Sequence, residues 1–274
     1  MTEAEWLNGW SYRRMYDVVR NQATTRQVRL YMAACCRLKA AEFFDPRILR
    51  ALEAAEWCAD DPQAEAAANA VWSELVTSPR PQLPQTGPEG DLARVITGAW
   101  QLLDECWGGV HYRNVRHAIA HAAYMCLRDR PREVLTGGEG NAADYCARAI
   151  DSAESLLLGA KPEDLEQDDS LEMETEIRVG IANLLRDIFG NPFHRSLPLH
   201  PAILAWNDST IYRLAQANYE ERHLPSGTLY TARLPILADA LEEAGLTDTS
   251  LLGHLRGPGP HVRGCWAIDL ILGR

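Results

Sequence analysis

Two groups of residues in this chain have the types and spacing to do chemistry. The first is His261, Cys265 and Asp269, near the C-terminus. If that segment is helical, the three fall at i, i+4 and i+8 on one stripe. His254 lies just before the bend Gly257-Pro258-Gly259-Pro260 and can return to meet them. A Cys–His pair can generate a thiolate nucleophile, and a Cys/His/His/Asp set can hold zinc. The plainer alternative makes Cys265 a core residue, pairs Asp269 with Arg263 or Arg256, and uses His261 to cap the turn. Free cysteine is among the most buried residue types. The second group is His117 and His121, at i and i+4 on one helix face. Two imidazoles so placed can bite one metal, but zinc needs further ligands. No glutamate stands between them, so the metalloprotease motif is absent. The alternative is a pair of surface or core-edge histidines. The metal candidates are therefore His117, His121, His254, His261 and Cys265. The catalytic candidates are His261, Cys265 and Asp269.

A third group, Asp187, Asn191, Trp206, Asn207 and Asp208, admits a polar pocket. Short polar side chains more often fix turns by bonding backbone amides. On that reading Asp187 holds the turn Gly190-Asn191-Pro192, and Asn207 and Asp208 cap the helix that follows. Gly190 is expected at positive φ. Trp206 and Trp266 are candidate interaction residues, since tryptophan is favoured at binding surfaces.

These residues sit on a scaffold that reads as helical. Ala and Leu outweigh Val and Ile, which favours helices over sheets. Thr2-Glu3-Ala4-Glu5 fits a capping box, and Thr24 or Thr25 starts a longer helix with an apolar stripe at Val28, Tyr31, Cys35 and Leu38. Adjacent Cys35 and Cys36 diverge by about 100° on a helix, so one of them at most is expected to face the core squarely. Asp45-Pro46 and Asp61-Pro62 are further helix starts. A proline-rich stretch at 78–90 reads as a loop. The expected fold is all-α: a compact multi-helix bundle of about a dozen helices in two halves, without a regular solenoid repeat. The expected division is 1–160, an acidic linker or helix start at 161–176, and 177–274.

Composition narrows the function classes. The chain has 274 residues and a net charge of −11. That charge disfavours nucleic-acid binding, for which the arginines between Arg113 and Arg132 are the best local patch. No apolar run approaches the roughly 20 residues needed to span a bilayer. The N-terminus carries no signal-peptide pattern, and a cytoplasmic location is expected. Seven scattered cysteines then read as buried thiols, not disulfides. A phosphate-cradling glycine loop, a Gly-x-Ser-x-Gly elbow and a Cys-x-x-Cys pair are all missing.

Several stretches carry a resemblance. They are Leu185 to Phe193, Ala205 to Asp208, Leu234 to Leu241 and His254 to Trp266, with Met1 to Trp6 and Arg29 to Arg37 at the other end. Together they resemble a large paralogous family of uncharacterised bacterial proteins, along most of the chain. The resemblance implies no activity, ligand or catalytic residue. The chain departs from it at His194, where that family has an arginine. The leading expectation is a non-catalytic helical module that binds another protein and needs no cofactor. The alternative is a metal- or Cys-dependent enzyme using His254, His261, Cys265 and Asp269, with zinc as the ion.

Overall fold

A computed structural model describes residues 1–38, 46–67, 175–194 and 198–274, with the single positions 70 and 94. The described residues are mainly helical, and the only regular sheet among them is one two-stranded ribbon. Contacts divide the chain into two compact units. One joins Met1–Ala23 to Val179–Arg274, and the other is Thr24–Arg178. Of the expected linker at 161–176, all but the last two residues lie outside the described set, as do the proline-rich stretch and the Arg113–Arg132 patch. No described helix is long and apolar enough to cross a membrane.

The first unit begins with α1 (Glu3–Asn8) and α2 (Tyr12–Val19). The expected capping box is present: the Glu5 N–H donates to Thr2 Oγ1, and the Thr2 N–H to Glu5 Oε2 at 2.7 Å. α2 buries Tyr12, Met15, Tyr16 and Val19, the i, i+3, i+4, i+7 pattern of one helical face.

In the other unit, α3 (Thr25–Arg37) starts at a second capping box between Thr24 and Gln27 and packs on α4 (Pro46–Asp60). Cys35 and Cys36 are both buried, contrary to expectation. The reason is that α3 is covered all round, from Val28 to Arg37. Two directions 100° apart then both meet protein. Between the two helices Arg37 grips Glu56, with Nε to Oε1 at 2.8 Å and Nη2 to Oε2 at 3.2 Å, both side chains buried.

The first unit resumes in α5, the helix Thr175–Phe189 that crosses the division. Next come α6 (Pro201–Leu204), α7 (Trp206–Glu220), strands β1 (Arg222–His223) and β2 (Thr228–Leu229), α8 (Leu234–Glu243), α9 (Thr249–Leu255) and α10 (Trp266–Leu272). Helices α7 to α10 pack on one another through Ile211, Leu237, Leu241, Leu255 and Ile268. β1 and β2 pair antiparallel, and Thr228 bridges to Val262. This small β element was not expected from the sequence.

The turns differ in part from expectation. Gly190 has φ +65°, as expected. Asn191 closes an Asx turn by accepting the Phe193 N–H at 3.0 Å. Asn207 and Asp208, expected to cap α7, instead form a left-handed run with Ser209 at φ 46°, 53° and 59°. No side chain caps the start of α7. Trp206 and Trp266 are both partly buried against the core.

Candidate metal centre

Four side chains from three helices and a loop converge inside the first unit: Asp187, His254, His261 and Cys265. One potential ligand atom from each lies within 4.8 Å of all the others. Asp187 stands in the last turn of α5 and His254 in the last turn of α9. His261 lies in the connecting loop, and Cys265 is the N-cap of α10.

Each position has a local cause. Asp248 caps α9 by accepting the Ser250 and Leu251 N–H groups at 2.9 and 3.0 Å, which sets the register that delivers His254. Gly257-Pro258-Gly259-Pro260 cannot continue that helix. Gly259 takes φ +88°, and a Cβ there would lie 2.9 Å from the His261 nitrogen and 3.1 Å from its ring. Only glycine lets the chain pass so close. His261 is then pinned by its backbone: its carbonyl accepts the Leu229 N–H at 2.8 Å. The next N–H, of Val262, donates to Asp187 Oδ2 at 2.8 Å. That bond turns Oδ1 of the same carboxylate toward the two imidazoles.

Asp187 Oδ1 lies 3.1 Å from His254 Nε2 and 3.1 Å from His261 Nδ1. Cys265 Sγ lies 3.2 Å from His254 Nε2 and 3.9 Å from His261 Nδ1. Around a tetrahedral zinc with bonds of about 2.0 to 2.3 Å, ligand atoms stand about 3.3 to 3.8 Å apart. Three of these four spacings fall just short of that range and one just beyond it, while the group as a whole spans up to 4.8 Å, so the widest pair would draw in by about 1 Å to hold a tetrahedral ion. The second nitrogen of His261 fixes its tautomer. Nε2 faces the Gly257 carbonyl at 3.3 Å, which can only accept, so Nε2 carries a hydrogen. Nδ1 is left to face the group either as a lone pair for a metal or as the N–H of an imidazolium. Trp266 closes one side, its ring 5.1 Å from that of His254.

The electrostatics follow from burial. Asp187, His261 and Cys265 are buried, and His254 keeps a small exposed edge. Burial alone would push the Asp187 carboxyl up, but hydrogen bonds from His254 and His261 hold it below the ordinary carboxylate range. Burial would push His261 down, but its bond to Asp187 and that residue's charge raise it. The Cys265 thiol is pushed well up, first by burial and then by the Asp187 charge, although the Ala267 and Ile268 amides oppose this. Without a cation, these shifts favour the carboxylate at Asp187, the protonated imidazole at His261 and the neutral thiol at Cys265.

The structure thus brings together three of the residues read as candidates and adds Asp187, which had been read as a turn-fixing residue. Its carboxylate points away from the Gly190 turn and into the His/Cys group. Asp269 is not part of the group. The stripe of His261, Cys265 and Asp269 requires one continuous helix, but α10 starts only at Trp266, because Gly264 at φ +91° breaks the chain before it. Asp269 is buried one turn along, its N–H on the Cys265 carbonyl at 2.9 Å. Of its two suggested partners, Arg263 and Arg256, the latter pairs with Asp239 and Glu242. His117 and His121 lie outside the described residues. The signal that could have found Asp187 was its type and its place: an acid at the end of an apolar helix, where a negative charge is unfavourable beside the helix carbonyls. Comparison with protein-family models, curated proteins and solved structures gives no match to this chain.

Proposed function

We propose that the unit built from the chain's two ends is a zinc-binding, non-catalytic helical module, with Asp187, His254, His261 and Cys265 as the four ligands. The observation that carries this is the convergence of four potential ligand atoms within 4.8 Å, four of their spacings being 3.1 to 3.9 Å. Four protein ligands fill a tetrahedral ion. Structural zinc sites are closed in this way, whereas catalytic ones keep a position for water or substrate. The ion would cross-link α5, α9, the His261 loop and α10. All four ligands fall within the motifs Arg186 to Phe193 and His254 to Trp266, which resemble the bacterial family. The cysteine-enzyme alternative has less support. Cys265 is fully buried and its thiol is pushed up, whereas a nucleophilic cysteine needs access and a lowered pKa.

As a module it would act by binding a protein partner. The exposed apolar side chains of Trp10, Tyr212, Leu224 and Ile236 support that reading, and the net charge of −11 disfavours nucleic acid. A reducing cytoplasm would keep Cys265 available as a thiolate ligand. Elemental analysis of the purified protein tests the centre. About one zinc per chain is expected, falling to near zero in Cys265→Ser and in His254→Ala. Less than ~0.2 metal per chain after purification with added zinc, from the native sequence, would sink the reading.

A further inference from the structure

We infer that filling this centre is coupled to the docking of the N-terminal helix, so that metal and α1 bind one shared turn and each strengthens the other. The inference rests on the zinc reading above and adds what the ion controls.

The last turn of α5 faces two ways at consecutive residues. Asp187 enters the ligand group. Arg186, beside it, holds α1: its Nε donates to the Trp6 carbonyl at 2.8 Å, and one terminal nitrogen donates to the Gly9 carbonyl. Its other terminal nitrogen donates to Asn183 Oδ1 at 2.8 Å and braces the guanidinium on its own helix. The final carbonyls of a helix have no partners within it, and Arg186 supplies them at the end of α1. The fully buried Trp6 returns the contact, its indole N–H donating to the Gly190 carbonyl at 3.1 Å. At the other end of α1, Glu3 Oε1 accepts from Asn191 Nδ2 at 2.7 Å and lies 2.8 Å from His194 Nε2. α1 has six residues, too few to be helical unaided, so its order depends on these contacts.

The same turn is held from the metal side by Trp266, the residue after Cys265. Its ring lies 3.2 Å from where a Gly190 Cβ would be and 5.1 Å, centroid to centroid, from that of His254. Gly190 is therefore clamped between the indole of Trp6 and that of Trp266. An ion that fixes Asp187 and Cys265 fixes both walls of the clamp. Without it, the four side chains keep the position through hydrogen bonds alone. Coupling between two sites is reciprocal: the factor by which the ion favours α1 docking is the factor by which docked α1 favours the ion.

Hydrogen exchange on the full-length protein, with and without zinc, tests this. The Trp6 and Gly9 amides, bonded to Thr2 and Glu5 carbonyls, should exchange about tenfold faster or more without zinc, while amides of α8 change much less. Arg186→Gln keeps all four ligands and should bind one zinc per chain about 5- to 50-fold more weakly than the native protein. Zinc bound one to one with unchanged exchange in α1 overturns the coupling and leaves the centre standing. So does equal zinc affinity in Arg186→Gln. Uniform loss of protection through α8 also overturns it, because the ion would then hold the whole unit and not this turn. Absence of any bound zinc removes the metal reading, and the coupling with it. If Arg186→Gln does not fold, the native exchange comparison decides alone.

Discussion

Loading the centre with zinc should expel protons in a number that the structure sets. Cys265 enters as a thiol, pushed well above the ordinary value of 9.0, and must leave as a thiolate, so it gives up one proton. His261 is raised above 6.5 and holds Nδ1–H toward Asp187, so it gives up a second wherever the pH lies below its folded pKa. Asp187 is already ionised above 3.8 and gives none. About one proton per ion, from Cys265, is therefore expected well above the His261 pKa, and more than one near pH 6, where His261 adds its own. Apparent affinity should climb with pH, at about one decade per unit well above the His261 pKa and more steeply near pH 6. Calorimetric titration in buffers of different ionisation enthalpy measures the count directly. The sign for the metal-free protein is separate. His261 has a raised pKa, so its contribution to stability is full below 6.5 and lost as pH rises through the folded value. Asp187 has a lowered pKa, so its contribution is full above 3.8 and lost as pH falls through the folded value. Metal-free stability should then fall off on the alkaline side, and zinc should abolish that fall by taking the proton's place. An enthalpy independent of buffer at pH 6 and pH 8 would refute the reasoning. It would mean that Cys265 is not a ligand or is already a thiolate.

Two substitutions probe the supporting structure. Gly190→Ala and Gly245→Ala both place a side chain at positive φ, but only the first meets anything within 4 Å, the Trp266 ring at 3.2 Å. Gly245→Ala should cost about 1 kcal/mol and Gly190→Ala at least about 1 kcal/mol more in thermal unfolding, and equal losses would show that Trp266 does not clamp the turn. In the other unit, Glu56→Ala breaks a buried ion pair by removing one member and should cost about 3 to 5 kcal/mol in urea unfolding. The double change Arg37→Met with Glu56→Leu should recover most of that loss, because it removes both buried charges together.

The helical character of the chain was legible because it is local. The Thr2–Glu5 box, the helix start at Pro46 and the capped start of α3 at Thr24 each act within a few residues of sequence, and each is present. The ribbon of β1 and β2 was not legible, since two-residue strands carry no periodicity and are held by the distant residue Val262. Nor was the pairing of α1 with the turn after α5, which joins residues more than 170 positions apart through one arginine and two carbonyls.

The candidate centre shows the same limit more sharply. His254, His261 and Cys265 lie within twelve residues of sequence, and their type and spacing were enough to suggest a common site. The fourth member could not be found that way, because helical spacing favoured Asp269 and only tertiary packing prefers Asp187. A carboxylate at the C-terminal end of a helix sits among carbonyl oxygens and opposes the helix dipole. Such a residue needs compensation. Here it receives two imidazoles and one backbone N–H, all from a segment more than 60 residues later. The buried acid is therefore the residue that forces the C-terminal segment to fold back onto α5. The same demand for positive charge that makes Asp187 costly alone would suit it to hold a cation in the proposed centre.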